Sequence, residues 1–165
     1  MASILKVNEI QHTGGTSALT VDSSGNVDIP SGYFTVQNSI VWEVTKSTSV
    51  TSGVWIYDRV LVDSASAMNS SNGRFIAPVA GYYYTQFTWL SDSATQETNV
   101  SIRKNGDSSN EWKRIRQQGH ANHISMSGHR IAYLNANDYF EINVDAGHVY
   151  GDANTWTTWS GFLVG

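Results

Sequence analysis

The stretch GRFIAPVAGYYYTQFTW, residues 73–89, decides how the rest of the chain is read. Phe75 and Ile76 end one extended run, and Pro78 with Gly81 marks a sharp change of direction. Tyr82 to Trp89 then predicts a strand, with Tyr83, Thr85, Phe87 and Trp89 on one face and Tyr82, Tyr84, Gln86 and Thr88 on the other. Aromatic bulk on both faces places such a strand inside a sandwich or against a neighbouring subunit rather than at a free surface. This is information about architecture, and no stretch of comparable weight specifies a chemistry.

Outward from it, the composition agrees. A chain of 165 residues holds one domain with a substantial core plus an appendage. Only 15% of residues are charged, below the usual quarter or so, while Thr, Val, Tyr and Trp alternate with Gly, Asn and Ser. That is the composition of strands joined by polar turns. The formal charge of -4 argues against a partner with a phosphate backbone. With no cysteine, neither a disulfide framework nor a thiolate metal site is available. The opening apolar patch is short and broken by Lys6, Asn8 and Glu9, which fits no signal peptide, and no run is long enough to span a bilayer. The expectation is a protein made in a cytoplasm and soluble there, with no membrane insertion.

Residues 1–30 form a distinct arm of short hairpins, in which Leu5, Val7, Leu19 and Val21 alternate with polar residues and Gly14-Gly15 and Ser23 to Asn26 supply turns. Its few large apolar residues, among them Ile4, Leu5, Val7, Ile10, Leu19 and Val21, cannot offset the entropy of ordering thirty residues. The arm therefore needs a partner: its symmetry mates, another protein, or both. Pro30-Ser31-Gly32 reads as the hinge to a main domain over residues 31–165.

In that domain strands are predicted at Tyr33 to Val36, Ser39 to Val44, Gly53 to Asp63, Arg74 to Ile76, Tyr82 to Trp89, Asn99 to Arg103, Glu111 to Gln117, His123 to Ser127, His129 to Leu134, Tyr139 to Val144 and Trp156 to Val164. Spacing near ten residues with turn signals between argues an antiparallel sandwich, and no window keeps helical periodicity. Lys104-Asn105-Gly106-Asp107 is a tight hairpin signal, because Asn-Gly readily takes positive backbone angles. Phe140, Ile142 and Val144 make one clean apolar face, and the final run, ending on its strand, reads as a central strand.

These residues resemble the globular head domain of the first complement component, a relative of the tumour necrosis factor jelly rolls. That family's Gly-x-Phe-x-x-Pro-x-x-Gly-x-Tyr pattern is met by Gly73, Phe75, Pro78, Gly81 and Tyr83. Its strand ending in Lys-Asn-Gly is met by Val100 to Gly106, and its Leu-x-x-Gly-Asp-x-Val in outline by Leu134 to Phe140, with Asn137 in place of the glycine. Its closing Phe-x-Gly-Phe-Leu is met by Trp159 to Leu163, with tryptophan first. The resemblance runs from about residue 39 to the end. It implies an all-β, antiparallel jelly-roll sandwich of about ten strands, assembled as a tight homotrimer. Phe75, Tyr82, Tyr83, Tyr84, Phe87, Trp89, Phe140, Trp159 and Phe162 are the expected core and trimer-packing residues. The aromatic bulk, which also includes Trp42 and Trp156, exceeds what one small sandwich easily holds. Residues 1–30 separately resemble the opening of structural proteins of tailed bacteriophages. That likeness implies a virion part made in a bacterial cytoplasm: a capsid decoration, head fibre or short tail fibre docked on other virion proteins by its arm. The alternative is a receptor-binding tail fibre that recognises host surface glycans.

Catalysis finds no support, since no Gly-x-Ser-x-Gly elbow occurs and the five histidines lie in ordinary contexts. Asp138, Glu141 and Asp145 read as a turn and a solvent edge rather than as paired glycosidic carboxylates. His120, His123 and His129 invite a metal only through repetition about a threefold axis, and their spacing matches no zinc pattern. No cofactor or metal is assigned. Arg103, Lys104, Lys113, Arg114 and Arg116, half of the ten basic residues, surround Trp112 and form the candidate ligand surface, for an acidic sugar or an acidic neighbour.

Overall fold

The computed structural model describes residues 8–11, 14–15, 17–28, 39–91, 97–108, 113–118 and 123–165. The chain divides into two compact units, Met1–Gln37 and Asn38–Gly165. In the first, β1 (Glu9–Gln11), β2 (Ser17–Val21) and β3 (Val27–Asp28) pair antiparallel in that order. Asp22 builds the second turn: its carboxylate accepts from the Ser24 and Asn26 backbone N–H groups at 2.8 and 2.9 Å and from Asn26 Nδ2 at 2.8 Å, and Gly25 supplies a φ of +84°. Ile10 lies opposite Leu19 across the ladder yet remains exposed, as does Val27. Ile4, Leu5 and Val7, the Pro30 to Gly32 hinge and the expected strand at residues 33–36 lie outside the described residues.

The second unit is a two-sheet antiparallel sandwich with no helix among the described residues. Its strands are β4 (Val41–Thr45), β5 (Gly53–Val54), β6 (Arg59–Asp63), β7 (Met68–Asn69), β8 (Arg74–Ile76), β9 (Gly81–Ser91), β10 (Thr98–Lys104), β11 (Lys113–Gln117), β12 (Ile124–Leu134), β13 (Tyr139–Ala146) and β14 (Thr158–Leu163). One sheet runs β11-β10-β13-β8-β7, with β5 also on β13; the other runs β12-β9-β14-β4-β6. The fold is the expected all-β jelly roll. The last strand, β14, is the middle one of its five.

Strict alternation along β9 drives the packing. Tyr83, Thr85, Phe87 and Trp89 are buried, while Tyr82, Tyr84, Gln86 and Thr88 point out. Across the interior stand Val100 and Ile102 of β10, Phe140, Ile142 and Val144 of β13, and Phe75 of β8. Trp42 stacks on Phe75 with ring centroids 3.8 Å apart, and Trp159 donates its indole N–H to Thr85 Oγ1 at 2.7 Å. The motif residues are structural. Gly73 sits at φ +72° with the Trp55 carbonyl 2.8 Å from where a Cβ would be, and Tyr83 donates its hydroxyl to the Val79 carbonyl at 2.8 Å, tying the Pro78 turn to the strand.

Three strand expectations change. The run from Gly53 to Asp63 is broken: β5 pairs with β13 in one sheet and β6 with β4 in the other, so the chain changes sheets between them. Trp55 and Tyr57, buried in the crossing, fill the core between the layers, and Asp58 clasps Ser47 through the Ser47 N–H and hydroxyl. Conversely, His123 to Ser127 and His129 to Leu134 are one strand, β12, continuous through Gly128. Gly128 gives Ile115 room, since a Cβ there would meet Ile115 Cδ1 at 1.8 Å. Finally, Asn105 and Gly106 do take φ of 53° and 71°, but the β10–β11 ladder closes at Ile102 with Lys113, so this turn lies within a longer connection.

Candidate functional site

The two outward faces of the sandwich differ in kind. On the β12-β9-β14-β4 sheet, side chains meet in cross-strand rows. Tyr84 lies between Ile131 and Phe162, and Phe162 is next to Val41; Tyr82 lies opposite Tyr133. Tyr84 stacks on Phe162 at 5.2 Å and on His129 at 5.9 Å, and Tyr82 meets Tyr133 edge-on at 5.3 Å. Tyr82, Ile131, Tyr133 and Phe162 are nevertheless exposed, from 45% to 60%. Of the expected core and trimer-packing residues, Phe75, Tyr83, Phe87, Trp89, Phe140 and Trp159 thus fill the interior, while Tyr82, Tyr84 and Phe162 form an aromatic surface.

The outward face of β11-β10-β13-β8 is charged and internally matched. Arg103 bonds Asp145 and Ser101, and Arg114 lies 3.9 Å from the other oxygen of Asp145. Lys104 pairs with Asp138 at 2.8 Å, Arg116 with Glu97 at 3.2 Å, and Arg74 with Glu141 at 3.1 Å while lying over the Tyr139 ring. The expected cationic surface therefore has carboxylates of its own chain as partners. Trp112 lies outside the described residues, and Lys113 is placed on β11. The same pairs engage Asp138, Glu141 and Asp145, the carboxylates considered for glycan cleavage.

Asp138 fastens two turns. It accepts from Asn105 Nδ2 at 2.8 Å and from the Asn135 N–H at 2.9 Å, while Asn105 Oδ1 accepts from the Tyr139 N–H. The Lys104 ammonium first, then Asn105, hold its carboxyl well below the usual carboxylate range. His123 and His129 are not brought together: six residues apart along the β12 direction, they are separated by about 20 Å. His120 lies outside the described residues, and no group of three or more metal-ligating side chains forms among the described ones.

Sequence reading missed one cleft. Leu90, His123, Ser125 and Trp156 line about 370 Å³ at the far end of the aromatic sheet face. Trp156, expected in a strand and among the packing aromatics, precedes β14 and is 49% exposed.

A family model described as C1q domain matches residues 25–164. Complement C1q tumor necrosis factor-related protein 3 of Homo sapiens and that of Mus musculus are each 25% identical over 120 residues, covering 73% of this chain and 48% of theirs. The chain therefore spans about half the length of the curated relatives it matches. Among solved structures, the globular domain of zebrafish complement 1qA protein superposes with a TM-score of 0.59 at 14% identity, covering 77% of this chain and 98% of its own. Murine APRIL at pH 5.0 gives 0.61 at 10% identity, covering 76% and 99%. These likenesses establish the fold. The curated relatives are animal proteins related to complement C1q, which overturns the expectation of a virion part made in a bacterial cytoplasm; nothing in these comparisons indicates a phage protein.

Proposed function

The chain belongs to the C1q domain family, and from that premise we propose that it is a non-enzymatic recognition head working as a homotrimer. The observation that carries this reading is the aromatic face of Tyr82, Tyr84, Ile131, Tyr133 and Phe162. A contiguous apolar surface of this kind is rare on a monomer and costly to leave in water. It carries no charge that would exclude a second copy, and trimerisation is typical of the fold. The charged sheet face, its cations paired with carboxylates of the same chain, then remains in solvent. The arm, with Ile10, Leu19 and Val21 on its sheet, joins the head to a larger assembly. An extracellular setting is the one to which the relatives point. Light scattering on the full chain at micromolar concentration gives three times 18.1 kDa on this reading; a stable species of one chain mass rejects it.

A further inference from the structure

We propose that the cleft under Trp156 is a binding site for a neutral pyranose ring. His123 and Trp156 are on its lining, and the Tyr150 ring packs against both. Tyr150 and Trp156 stack with centroids 6.0 Å apart and planes 29° from parallel, and His123 tilts against both at 5.4 and 6.5 Å. Rings this close touch one another, so the cleft presents one aromatic wall, the Trp156 ring braced by Tyr150 and His123, and not a cage. A quaternary ammonium, which needs several ring faces opened around it, finds no space between them. A wall suits a flat partner whose face carries polarised C–H groups, as a pyranose does, because the negative ring faces attract them. Its hydroxyls reach the rim, where the Ser125 hydroxyl, the His123 ring and the Trp156 indole N–H make no hydrogen bond among the described residues. Among the described residues the lining holds no lysine or arginine, which favours a neutral sugar over an acidic one. A volume of about 370 Å³ lies within the range of small-ligand clefts.

The wall is held in place before any ligand arrives. Thr157, itself buried, donates its hydroxyl to the Tyr150 carbonyl, while the Tyr150 N–H donates to the Leu90 carbonyl at 2.8 Å. Val149 exchanges two backbone bonds with Val50, and Gly151 lies so close to Thr48 that a Cβ would meet its carbonyl at 2.2 Å. Arg59 donates to the Ala153 carbonyl at 2.9 Å, and Asp152 closes an Asx turn onto Asn154. Thr155 takes a φ of 64°, which a β-branched residue adopts only under constraint, and so turns Trp156 outward. Such preorganisation lowers the entropy lost on binding. Two polar rows, His129-Gln86-Ser160 and Ser127-Thr88-Thr158, separate the cleft from the aromatic patch assigned to subunit contact.

The site rests on the recognition-head reading, and its test separates the two. The full chain is titrated calorimetrically with cello-, chito- and galacto-oligosaccharides, with choline chloride as the cationic control, while light scattering follows the mass. At least one neutral oligosaccharide binds, and Trp156→Ala weakens it about tenfold or more with the mass unchanged, Ser125→Ala less so. The proposal is overturned by no binding up to about 10 mM, by choline binding in preference, or by a Trp156→Ala protein that binds as the parent does. A change in mass on Trp156→Ala also overturns it, since the cleft is then part of the subunit contact. Failure of sugar binding with an intact trimer leaves the assembly reading standing.

Discussion

At Gly161 an added Cβ would stand 2.2 Å from Trp42 Cζ2 and 2.4 Å from the Tyr84 carbonyl. Neither neighbour can give way. The Trp42 ring is stacked on Phe75 and meets Trp159 edge-on at 6.3 Å, and the carbonyl belongs to the central ladder of β9 with β14. Gly161→Ala therefore forces the two inner layers apart and destabilises the head by about 1–3 kcal/mol, as overpacked cores do. Gly128→Ala is the control. There the obstruction is the Ile115 side chain, which can change rotamer, so the loss is smaller even though the nominal approach, 1.8 Å, is closer. Denaturant unfolding of both variants checks the order; equal losses contradict the assignment of Trp42 as the immovable neighbour.

Between β12 and β13 the Asp138 clasp works at the scale of elements. It joins Lys104 and Asn105, at the end of β10, to the turn in which Asn137 sits at φ 71°, so one carboxylate registers three strands. Its folded pKa lies below the ordinary value of 3.8, so the stabilisation is present above about pH 4 and is lost as pH falls through the folded value. Asp138→Asn is expected to lower the melting temperature by about 2–4 °C at neutral pH, with the gap closing as both proteins are taken into acid. A gap independent of pH assigns the effect to turn geometry instead of charge. The turn itself was legible, as were β8, β9 and β13, because each rests on local alternation and punctuation. The crossing at residues 55–58 was not. Trp55 and Tyr57 alternate as a continuing strand would, and only the partners, β13 on one side and β4 on the other, reveal the change of sheet. Gly128 looked like a breaker because a glycine that ends a strand and one that makes room for Ile115 read alike. The candidate site divides in the same way. The basic residues were visible as a group, but Asp145, Asp138 and Glu97 reach them from other strands and connections. The Trp156 cleft, made from β9, β12 and the loop before β14, had no local signal beyond an unplaced tryptophan.

For the whole molecule, the decisive question is which surface holds three chains together. Both units offer one: the arm exposes Ile10 and Val27, and the head exposes the Tyr84, Ile131 and Phe162 row. In the head row the central ring is already braced on both sides by Phe162 and His129, so little side-chain freedom is lost when a copy covers it. Ile131→Glu places a carboxylate beside Tyr84 at the β12 end of that row, where burial against a second copy would strip its hydration, while in a single chain the position is 60% exposed and tolerates it. The variant is therefore expected to keep its circular dichroism spectrum and melt as a folded head, yet scatter light as one chain mass at concentrations where the parent is three. Deleting residues 1–37 is expected to do the opposite, leaving the mass of the remaining head threefold. If instead the deletion yields monomers and Ile131→Glu stays trimeric, the arm is the assembly element, and the aromatic face is left for a partner of another kind.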